Sequence, residues 1–348
     1  MGIVGGFDVH RAQITFEYLD TATDEIRRGQ IKPVTRTDLR TWLERFRGVD
    51  DVAFALEATT GWRFVVDELE AAGIRPHLAE PADTRALRGP KRRAKTDRAD
   101  AHHLRVLLQN GHLPESWIPP HHLQELRTRV RLRKALVEER TGWCQRMQAT
   151  LFHHGQPRVR DLLSRQHRAW VERVELPPAA RETIRVGLSM VDAINAELTP
   201  LDRQLRSFAR RQGGCWALMA HYGIGELTAP AILAELGDVR RFSSSRHAVR
   251  HSGLDITVWD SDGKRPPGKL SRQGPEVLRW AVFEAAQASA RERSPDHRYY
   301  LDVKARQGHN RAALSVARRI LRWAYHTLRE LGDEAIAPVD GAWEPRAA

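Results

Sequence analysis

Apolar residues in the first 110 positions alternate between strand-like and helix-like spacings. The segment from Ile3 to Val9 is a short apolar run, and Ile14, Phe16 and Tyr18 alternate with polar neighbours, so these segments are expected to pair as strands. Helical spacing follows at residues 35–46 and 60–72, and short apolar runs typical of buried strands lie at residues 51–57 and 74–78. This order of hairpin, helix, strand, helix and strand predicts an α/β sheet.

The pattern becomes mainly helical after a segment with three prolines at residues 111–120, where a domain boundary is expected. Residues 121–154 have helical spacing with seven cations against three acids, which indicates either a solvated face or a contact with nucleic acid. Residues 158–178 are basic and predicted to be irregular. The expected division is a catalytic domain at 1–112, basic helices and an arm at 113–212, a mainly helical domain at 213–335 and a tail at 336–348.

Apolar residues between Ile184 and Phe208 recur near heptad register. This spacing is typical of a helical hairpin or a coiled-coil self-association arm, and equally of one amphipathic helix packed on its own chain. Pro200 predicts either a kink or a new helix capped by Thr199.

A glycine-containing turn precedes a helix predicted at residues 227–236. Gly223 and Gly225 there can expose backbone N–H groups to a phosphate, although a tight structural turn is the simpler interpretation. Further helices are predicted at residues 240–253, 275–292 and 311–331, and residues 256–259 have strand-like spacing.

The charge of the chain favours a polyanionic partner. Its 348 residues contain 56 Lys and Arg against 44 Asp and Glu, a formal net charge of +12, which most simply indicates nucleic acid. No long apolar run suggests a membrane span. Cys144 and Cys215 are the only cysteines, which excludes a disulfide framework and a cysteine-based zinc site and indicates a reducing, intracellular location.

Four acids stand where a metal centre could form. Asp8 and Glu57 end predicted neighbouring strands, while Asp97 and Asp100 lie at i and i+3 in a helical first turn with Thr96 as N-cap. Acids in a first turn often only complement the helix dipole, and a single strand-end acid is usually structural. If the helix packs across the strand ends, however, the four carboxylates converge, and Mg²⁺ takes oxygen ligands of this kind. Two such ions about 3.5–4 Å apart can clamp the oxygens of a phosphoryl transfer.

Three segments around these acids resemble the DEDD signature of the bridge-RNA-guided insertion-sequence transposases of the IS110 group. They are Phe7-Asp8-Val9-His10-Arg11, the segment from Leu56 to Trp62, and the segment from Lys95 to Ala101. The second half resembles the C-terminal transposase domain of the same family. The matching parts are Gly223-Ile224-Gly225, Leu236-Gly237-Asp238, Arg241-Phe242, Gly253-Leu254, Ser261-Asp262-Gly263 and the segment from Leu270 to Gly274.

The resemblance implies a RuvC-like (RNase H-like) N-terminal domain, a coiled-coil middle and a C-terminal domain with a nucleophilic serine. Carried over by position, Asp8, Glu57, Asp97 and Asp100 would be the metal-binding acids. Ser261 would be the nucleophile, although Asp262 stands where the family commonly has glycine directly after the serine. Ser271, in the family's Ser-Lys-x-Gly-like stretch, is the alternative or a phosphate contact, and for either serine a turn hydroxyl is the simpler interpretation.

The resemblance also implies RNA-guided DNA strand exchange in a prokaryotic cytoplasm, by a homodimer or homotetramer that binds donor DNA, target DNA and a structured bridge RNA. Arg92, Arg93, Arg129 and Arg133 are predicted to contact the nucleic-acid backbone. Two other functions stay open. One is a metal-dependent junction resolvase in which water is the nucleophile, and the other is a non-catalytic nucleic-acid-binding scaffold.

Overall fold

The computed structural model describes residues 2–88, 96–257 and 268–343. The chain divides into two compact units, Met1–Ile118 and Pro119–Ala348, and each is described by itself. The predicted boundary at residues 111–120 contains this division. The predicted middle and C-terminal domains both fall within the second unit, and their separation stays a prediction.

The first unit is built on one five-stranded mixed sheet with the strand order β3-β2-β1-β4-β5. β1, β2 and β3 are antiparallel neighbours, whereas β4 and β5 run parallel to β1. The strands are β1 (Ile3–Val9), β2 (Ile14–Asp20), β3 (Glu25–Ile31), β4 (Val52–Glu57) and β5 (Arg75–Ala79). The helices are α1 (Arg36–Leu43), α2 (Trp62–Ala71), α3 (Pro81–Ala86) and α4 (Asp97–Gln109).

Both faces of the central strands β1 and β4 are covered, which explains why these strands are apolar up to the acids near their ends. Aromatic side chains dominate one core, where Phe7 and Phe54 stack with ring centroids 4.5 Å apart and Trp42 of α1 meets Phe7 edge-on. Small side chains line the opposite face and leave room for Leu104 and Leu108 of α4. Because β-strand side chains alternate between faces, every second residue of β1 and β4 points toward α4.

The predicted hairpin of β1 and β2 is confirmed, but the sequence analysis missed β3, which adds a third antiparallel strand beside β2. β3 lies at the edge of the sheet, and most of its residues are exposed, among them Ile26. An edge strand needs no apolar alternation where both of its faces meet water, so the apolar pattern carries no signal for it.

The second unit begins with a long helical hairpin. α5 (His121–His153) and α7 (Pro178–Arg211) pack along one another in opposite directions, as the contacts Arg133–Asp202 and Arg140–Asn195 indicate. Their apolar faces meet at Met147, Ile184 and neighbouring residues. The hairpin interpretation of the heptad-like spacing therefore describes this packing, whereas self-association stays a prediction.

One local prediction in this region is wrong, and one of the two alternatives for Pro200, a new helix, is excluded, while a kink stays a prediction. Residues 158–178 include a helix, α6 (Arg165–Arg173), which Ser164 caps by accepting a hydrogen bond from the backbone N–H of His167. α7 also continues through Pro200, and Thr199 does not cap a new helix, because its hydroxyl donates to the carbonyl of Asn195 in the preceding turn. Contacts with α5 on both sides of the proline, at Asn195 and at Asp202, offset the single backbone hydrogen bond that proline removes.

The remaining helices of this unit pack around α13, the longest of them. They are α8 (Gly213–Met219), α9 (Thr228–Leu236), α10 (Ser245–His251), α11 (Glu276–Gln287), α12 (His297–Gln307) and α13 (His309–Leu331). The predicted helix at residues 240–253 is shorter than expected, because a 3-10 turn at Val239–Arg241 precedes α10. Only Ile256 of the predicted strand 256–259 forms a bridge, with Leu270, and residues 258 and 259 lie outside the described ranges. Within those ranges, none of the helices combines the length and apolarity that crossing a membrane requires.

Candidate metal centre

Asp8 and Glu57 lie on the same edge and the same face of the sheet. β1 and β4 are parallel and pair with Phe7 opposite Leu56, so the next residues, Asp8 and Glu57, come to the shared carboxyl end of the two strands. Phe7 and Leu56 point into the aromatic core. By alternation Asp8 and Glu57 point to the opposite face, which α4 covers. The prediction that these two acids lie on adjacent strands is confirmed.

The other two acids open α4, as predicted. The hydroxyl of Thr96 accepts a hydrogen bond from the backbone N–H of Ala99 at 3.2 Å, so the helix begins at Asp97. Asp100 follows one turn later and is 8% exposed. α4 packs across β1, β2 and β4, which brings its first turn to the strand ends. Asp8, Glu57, Asp97 and Asp100 are called the acid quartet below.

A glycine in β1 permits this close packing. A Cβ atom at Gly6 would lie 2.3 Å from the carbonyl oxygen of Ala101 and 2.7 Å from the backbone nitrogen of Arg105. Both neighbours are backbone atoms of α4 and cannot rotate away. Gly6 therefore sets the distance between α4 and β1, and with it the distance between Asp97 and Asp8.

We expect Gly6→Ala to push α4 away from β1 and to weaken binding of a divalent metal by about tenfold, since metal sites tolerate displacements of only a few tenths of an ångström. Overpacking of this kind also destabilises by about 1–3 kcal/mol. Titration of the full chain with Mn²⁺ measures the affinity, and thermal unfolding measures stability. Gly142→Ala on α5 is the matched control, because a Cβ atom there meets only a side-chain atom at 3.9 Å. Unchanged Mn²⁺ affinity in Gly6→Ala would contradict this role.

Three side chains at the strand end form a set with metal-ligand spacing. Ligand atoms of Asp8, His10 and Asp97 all lie within 4.8 Å of one another. Nε2 of His10 is 3.1 Å from Oδ2 of Asp8 and 3.8 Å from Oδ1 of Asp97. The side-chain amide of Gln13 donates to Oδ2 of Asp97 at 2.8 Å, which orients that carboxylate.

The acids at this edge also influence one another electrostatically. Burial raises the pKa of Asp8 from 3.8 to about 6; the nearby carboxylates of Asp100 and Asp97 contribute to the rise, and His10 opposes it. A carboxyl group with a raised pKa in a cluster of acids is typical of a site where a cation stabilises the charged form.

The other half of the acid quartet contacts an arginine. Arg88, just after α3, donates from Nη1 to Oδ1 of Asp100, and its Nη2 lies 3.9 Å from Oε1 of Glu57. The guanidinium therefore bridges an acid of β4 and an acid of α4.

These residues fit a divalent metal ion. Two carboxylates and an imidazole whose ligand atoms lie within 4.8 Å of one another are a usual set of metal ligands. A bound cation would also stabilise the charged form of Asp8, whose pKa is raised. The carboxylates suit Mg²⁺ or Mn²⁺, and the imidazole of His10 favours ions that accept nitrogen as well as oxygen.

A buried cluster of charged side chains around Glu17 fixes the orientation of α4 about its own axis. Glu17 of β2 is 2% exposed and accepts hydrogen bonds from His102 and Arg105 of α4, each at 2.6 Å, and from Arg28 of β3. Burial alone would raise the pKa of Glu17, but the hydrogen bonds from Arg28, His102 and Arg105 together lower it. The cluster ties α4 to the antiparallel half of the sheet.

The remaining predicted site residues belong to the second unit or lie outside the described residues. Gly223 has a φ of 96° and abuts α11, and the N–H of Gly225 donates to the hydroxyl of Thr228, which is the arrangement of a tight turn. Ser271 donates a hydrogen bond from its hydroxyl to Asp255. Ser261, Arg92 and Arg93 lie outside the described residues.

The two predicted arginines on α5 make contacts within the chain. Arg133 donates to Asp202 of α7 at 2.6 Å. Arg129 lies over the ring of Trp343 at 4.4 Å, and its Nη1 is 3.7 Å from Glu125. A nucleic-acid contact at either position would share the guanidinium with these partners, and it stays a prediction.

Three residues at the centre have no role in the sequence-based prediction. His10 lies two positions after Asp8, so strand alternation could have indicated that it reaches the same edge. Gln13 and Arg88 carry no such signal, because a turn brings the first back to Asp97 and a short helix brings the second to Asp100.

Comparison with known families assigns both units. A family model described as "Transposase", of the DEDD type of IS110, matches residues 5–154, and the model described as "Transposase IS116/IS110/IS902 family" matches residues 215–301. Together the two matches cover more than half of the chain.

Individual relatives agree with this assignment. The chain is 24% identical to the "Probable family 20 transposase" of Pseudomonas aeruginosa over 82% of this chain and 83% of that protein. It is 25% identical to the "Transposase for insertion sequence element IS1111A" of Coxiella burnetii, over 60% of each chain. It is 27% identical to the "Transposase for insertion sequence element IS1328" of Yersinia enterocolitica over 45% of this chain and 47% of that protein. With both halves matched in order, the chain belongs to the IS116/IS110/IS902 family of transposases.

Proposed function

We propose that this transposase exchanges DNA strands through a covalent phosphoserine link, at a centre where the acid quartet holds Mg²⁺. The observation that carries the proposal is the convergence of Asp8 and Asp97 with His10 within 4.8 Å, although the two acids stand far apart in the sequence. Structural acids are usually paired one by one with cations, whereas clustered carboxylates with a raised pKa are typical of metal-dependent phosphoryl transfer.

The sheet supports an RNase H-like (RuvC-like) catalytic domain. Three antiparallel strands followed by two parallel ones, with β1 at the centre, are expected for this fold, and the acids stand at the ends of β1 and β4. α4 brings the last two acids to the same edge. The assignment rests on strand order and on the positions of the acids.

The proposed reaction balances as a transesterification. The Oγ atom of Ser261 forms a bond to the phosphorus of a DNA phosphodiester as it loses its proton, and the bond from that phosphorus to one DNA oxygen breaks. The leaving oxygen takes up a proton and becomes a free DNA hydroxyl. A second DNA hydroxyl then attacks the phosphorus of the phosphoserine and releases Ser261. Each step therefore replaces one phosphate ester bond by another, and the number of such bonds is unchanged.

The side chains of the centre have distinct parts in this reaction. When bound, Mg²⁺ would stabilise negative charge on the phosphate oxygens. Asp8 and Asp97 would hold the ion, while Gln13 keeps the carboxylate of Asp97 oriented. A serine hydroxyl needs a base to become a strong nucleophile. Asp255 already accepts the hydrogen bond of Ser271, which makes Ser271 the alternative nucleophile.

The partners belong to the proposal as well. A net charge of +12 supports binding of donor and target DNA and of a structured guide RNA that selects them by base pairing. Because the acids and the serines lie in different units, a homodimer or homotetramer could combine them from different protomers in the prokaryotic cytoplasm. Gly223, Gly225, Arg92, Arg93, Arg129 and Arg133 are proposed nucleic-acid contacts.

The test is trapping of the covalent intermediate on a marked donor DNA, with and without RNA transcribed from the flanks of the element. We expect the wild-type chain with Mg²⁺ to give a denaturation-resistant protein–DNA adduct that Ser261→Ala abolishes while DNA binding is retained. Ser271→Ala is the matched control, and loss of the adduct only in that variant would move the nucleophile to Ser271.

The alternatives give different results in the same assay. Cleavage without an adduct, undiminished in both serine variants, would indicate a nuclease that uses water. Unchanged recombination in Asp8→Asn and Asp97→Asn would indicate a scaffold. Recombination that does not require the RNA would remove RNA guidance from the proposal.

A further inference from the structure

The acid quartet consists of two pairs of acids, Asp8 with Asp97 and Glu57 with Asp100, and each pair contacts different side chains. Asp8 and Asp97 contact the imidazole of His10, and Asp97 also accepts a hydrogen bond from the neutral side-chain amide of Gln13. Glu57 and Asp100 face Arg88, whose guanidinium is always charged. A cation of the chain itself therefore already lies in one half of the centre.

A divalent ion and Arg88 cannot both use the Glu57–Asp100 half. Arg88 donates directly to Oδ1 of Asp100, the same kind of oxygen that a metal ion would take as a ligand. The two cations would also be brought within a few ångströms of each other, where like charges repel strongly in a partly buried site. Filling this half with metal requires the guanidinium to leave.

The surroundings of Arg88 favour such a movement of the side chain alone. Its Nε atom is buried and has no hydrogen-bond partner among the described residues, so the resting position does not satisfy the group completely. Nε2 of His103 contacts the backbone carbonyl of Thr84 at 3.2 Å and keeps α3 against α4. The guanidinium of Arg88, which follows α3 in the chain, can therefore move while α3 stays in place.

A phosphate group is the ligand that would draw Arg88 away. Guanidinium groups bind phosphate oxygens through two parallel hydrogen bonds, and such a pair is stronger than a contact that leaves one donor unused. The phosphodiester of a nucleic acid at the metal centre would come within reach of a residue that already lines that centre.

We propose that Arg88 is an internal cation that occupies the Glu57–Asp100 half of the centre until a nucleic-acid phosphate displaces it, so that nucleic-acid binding and metal binding promote one another. This inference rests on the proposed function, because it requires that the acid quartet holds metal. Arg88 would keep the centre from binding its full set of metal ions when no nucleic acid is present.

The test measures Mn²⁺ binding to the full chain by calorimetric titration, with and without a short double-stranded DNA. We expect Arg88→Gln to bind Mn²⁺ about tenfold more tightly than the wild type without DNA, within the usual range of such coupling. DNA should tighten Mn²⁺ binding more in the wild type than in Arg88→Gln, because only in the wild type does the phosphate also displace the guanidinium. Arg85→Gln is the matched control, because it removes an exposed arginine of α3 and should behave as the wild type.

Two further variants keep the result decisive. Arg88→Lys retains the charge but not the planar pair of donors, and we expect Mn²⁺ affinity between those of the wild type and Arg88→Gln, with thermal unfolding confirming that each variant folds. Equal or weaker Mn²⁺ binding by Arg88→Gln would overturn the inference. If Asp8→Asn bound Mn²⁺ as tightly as the wild type, the metal centre of the proposed function itself would be wrong.

Discussion

Asp8→Asn is expected to have two opposite effects, a more stable metal-free protein and a transposase that no longer exchanges strands. On the proposed function, the change removes one carboxylate ligand of the metal and should lower strand exchange by at least about 100-fold, since a metal contributes several kcal/mol of charge stabilisation in phosphoryl transfer. Without metal at pH 8, the variant should be about 1–3 kcal/mol more stable than the wild type. Both quantities are measurable on the full chain, the first by recombination of a marked donor and the second by thermal unfolding in chelator.

The sign of the stability change follows from the pKa of Asp8, which burial raises from 3.8 to about 6. A carboxyl group with a higher pKa in the folded state than in the unfolded state binds its proton more tightly when folded. Its ionised form therefore destabilises the metal-free fold above about pH 6, and this penalty disappears as the pH falls toward 4. Asparagine has no charge at any pH, so the advantage of the variant should shrink over the same interval.

Metal should reverse the order of stability. Mn²⁺ is expected to stabilise the wild type at pH 8 and to leave Asp8→Asn nearly unchanged, because binding to the folded state alone raises stability. Asp24→Asn, an exposed acid in the turn between β2 and β3, is the control and should match the wild type throughout. A less stable Asp8→Asn in chelator at pH 8 would show that Asp8 has a structural partner and no metal.

The sequence predicts the parts of the sheet that bury both faces. β1 and β4 contain continuous apolar runs because each is covered by the aromatic core on one side and by α4 on the other. β3 has no such requirement, since it pairs with β2 through backbone hydrogen bonds and exposes most of its side chains. Apolar patterning reports burial, so it detects the centre of a sheet better than its edge.

Helix boundaries in the second unit depend on contacts that sequence spacing does not contain. α7 continues through Pro200 because side chains on both sides of the proline contact α5, Asn195 through Arg140 and Asp202 through Arg133. α6 has few apolar residues, and its signal is the capping serine Ser164 with Val171 buried in the next turns. The sequence rules overestimated the tendency of Pro200 to end a helix, and they underestimated the signal of Ser164 as an N-cap.

In the candidate site, too, some residues are predictable from the sequence, whereas others depend on tertiary contacts. The acids of β1 and β4 are predictable because register and alternation determine their edge and face, and the first turn of α4 is predictable from its cap and its apolar stripe. Arg88 is not, since its reach to Glu57 and Asp100 depends on how α3 packs beside α4. Tertiary packing selects the partners of an acid, while local sequence selects only its position on an element.

Glu17→Gln is expected to destabilise the full chain by about 3–5 kcal/mol at pH 7, the usual cost of leaving one partner of a buried ion pair uncompensated. Arg105 is 5% exposed and loses its carboxylate partner in this variant, while Arg28 can turn into solvent. The loss also loosens α4, so Mn²⁺ affinity should fall together with the melting temperature.

The pH dependence and a matched pair of variants separate the charge from simple packing. The hydrogen bonds that Glu17 receives lower its pKa below the usual 4.5 despite its burial, so its stabilisation is complete above pH 4.5 and is lost as the pH falls through the folded-state pKa. The difference in stability between wild type and Glu17→Gln should therefore narrow in acid. Glu25→Gln breaks the exposed pair with Arg27 on β3 and should cost less than about 1 kcal/mol. Glu17→Gln combined with Arg105→Gln should lose less than the sum of the two single changes, because the second removes the charge that the first leaves unpaired. A full additive loss, or a difference in stability that does not narrow in acid, would mean that Glu17 supports α4 by its shape and that its ion pairs contribute little.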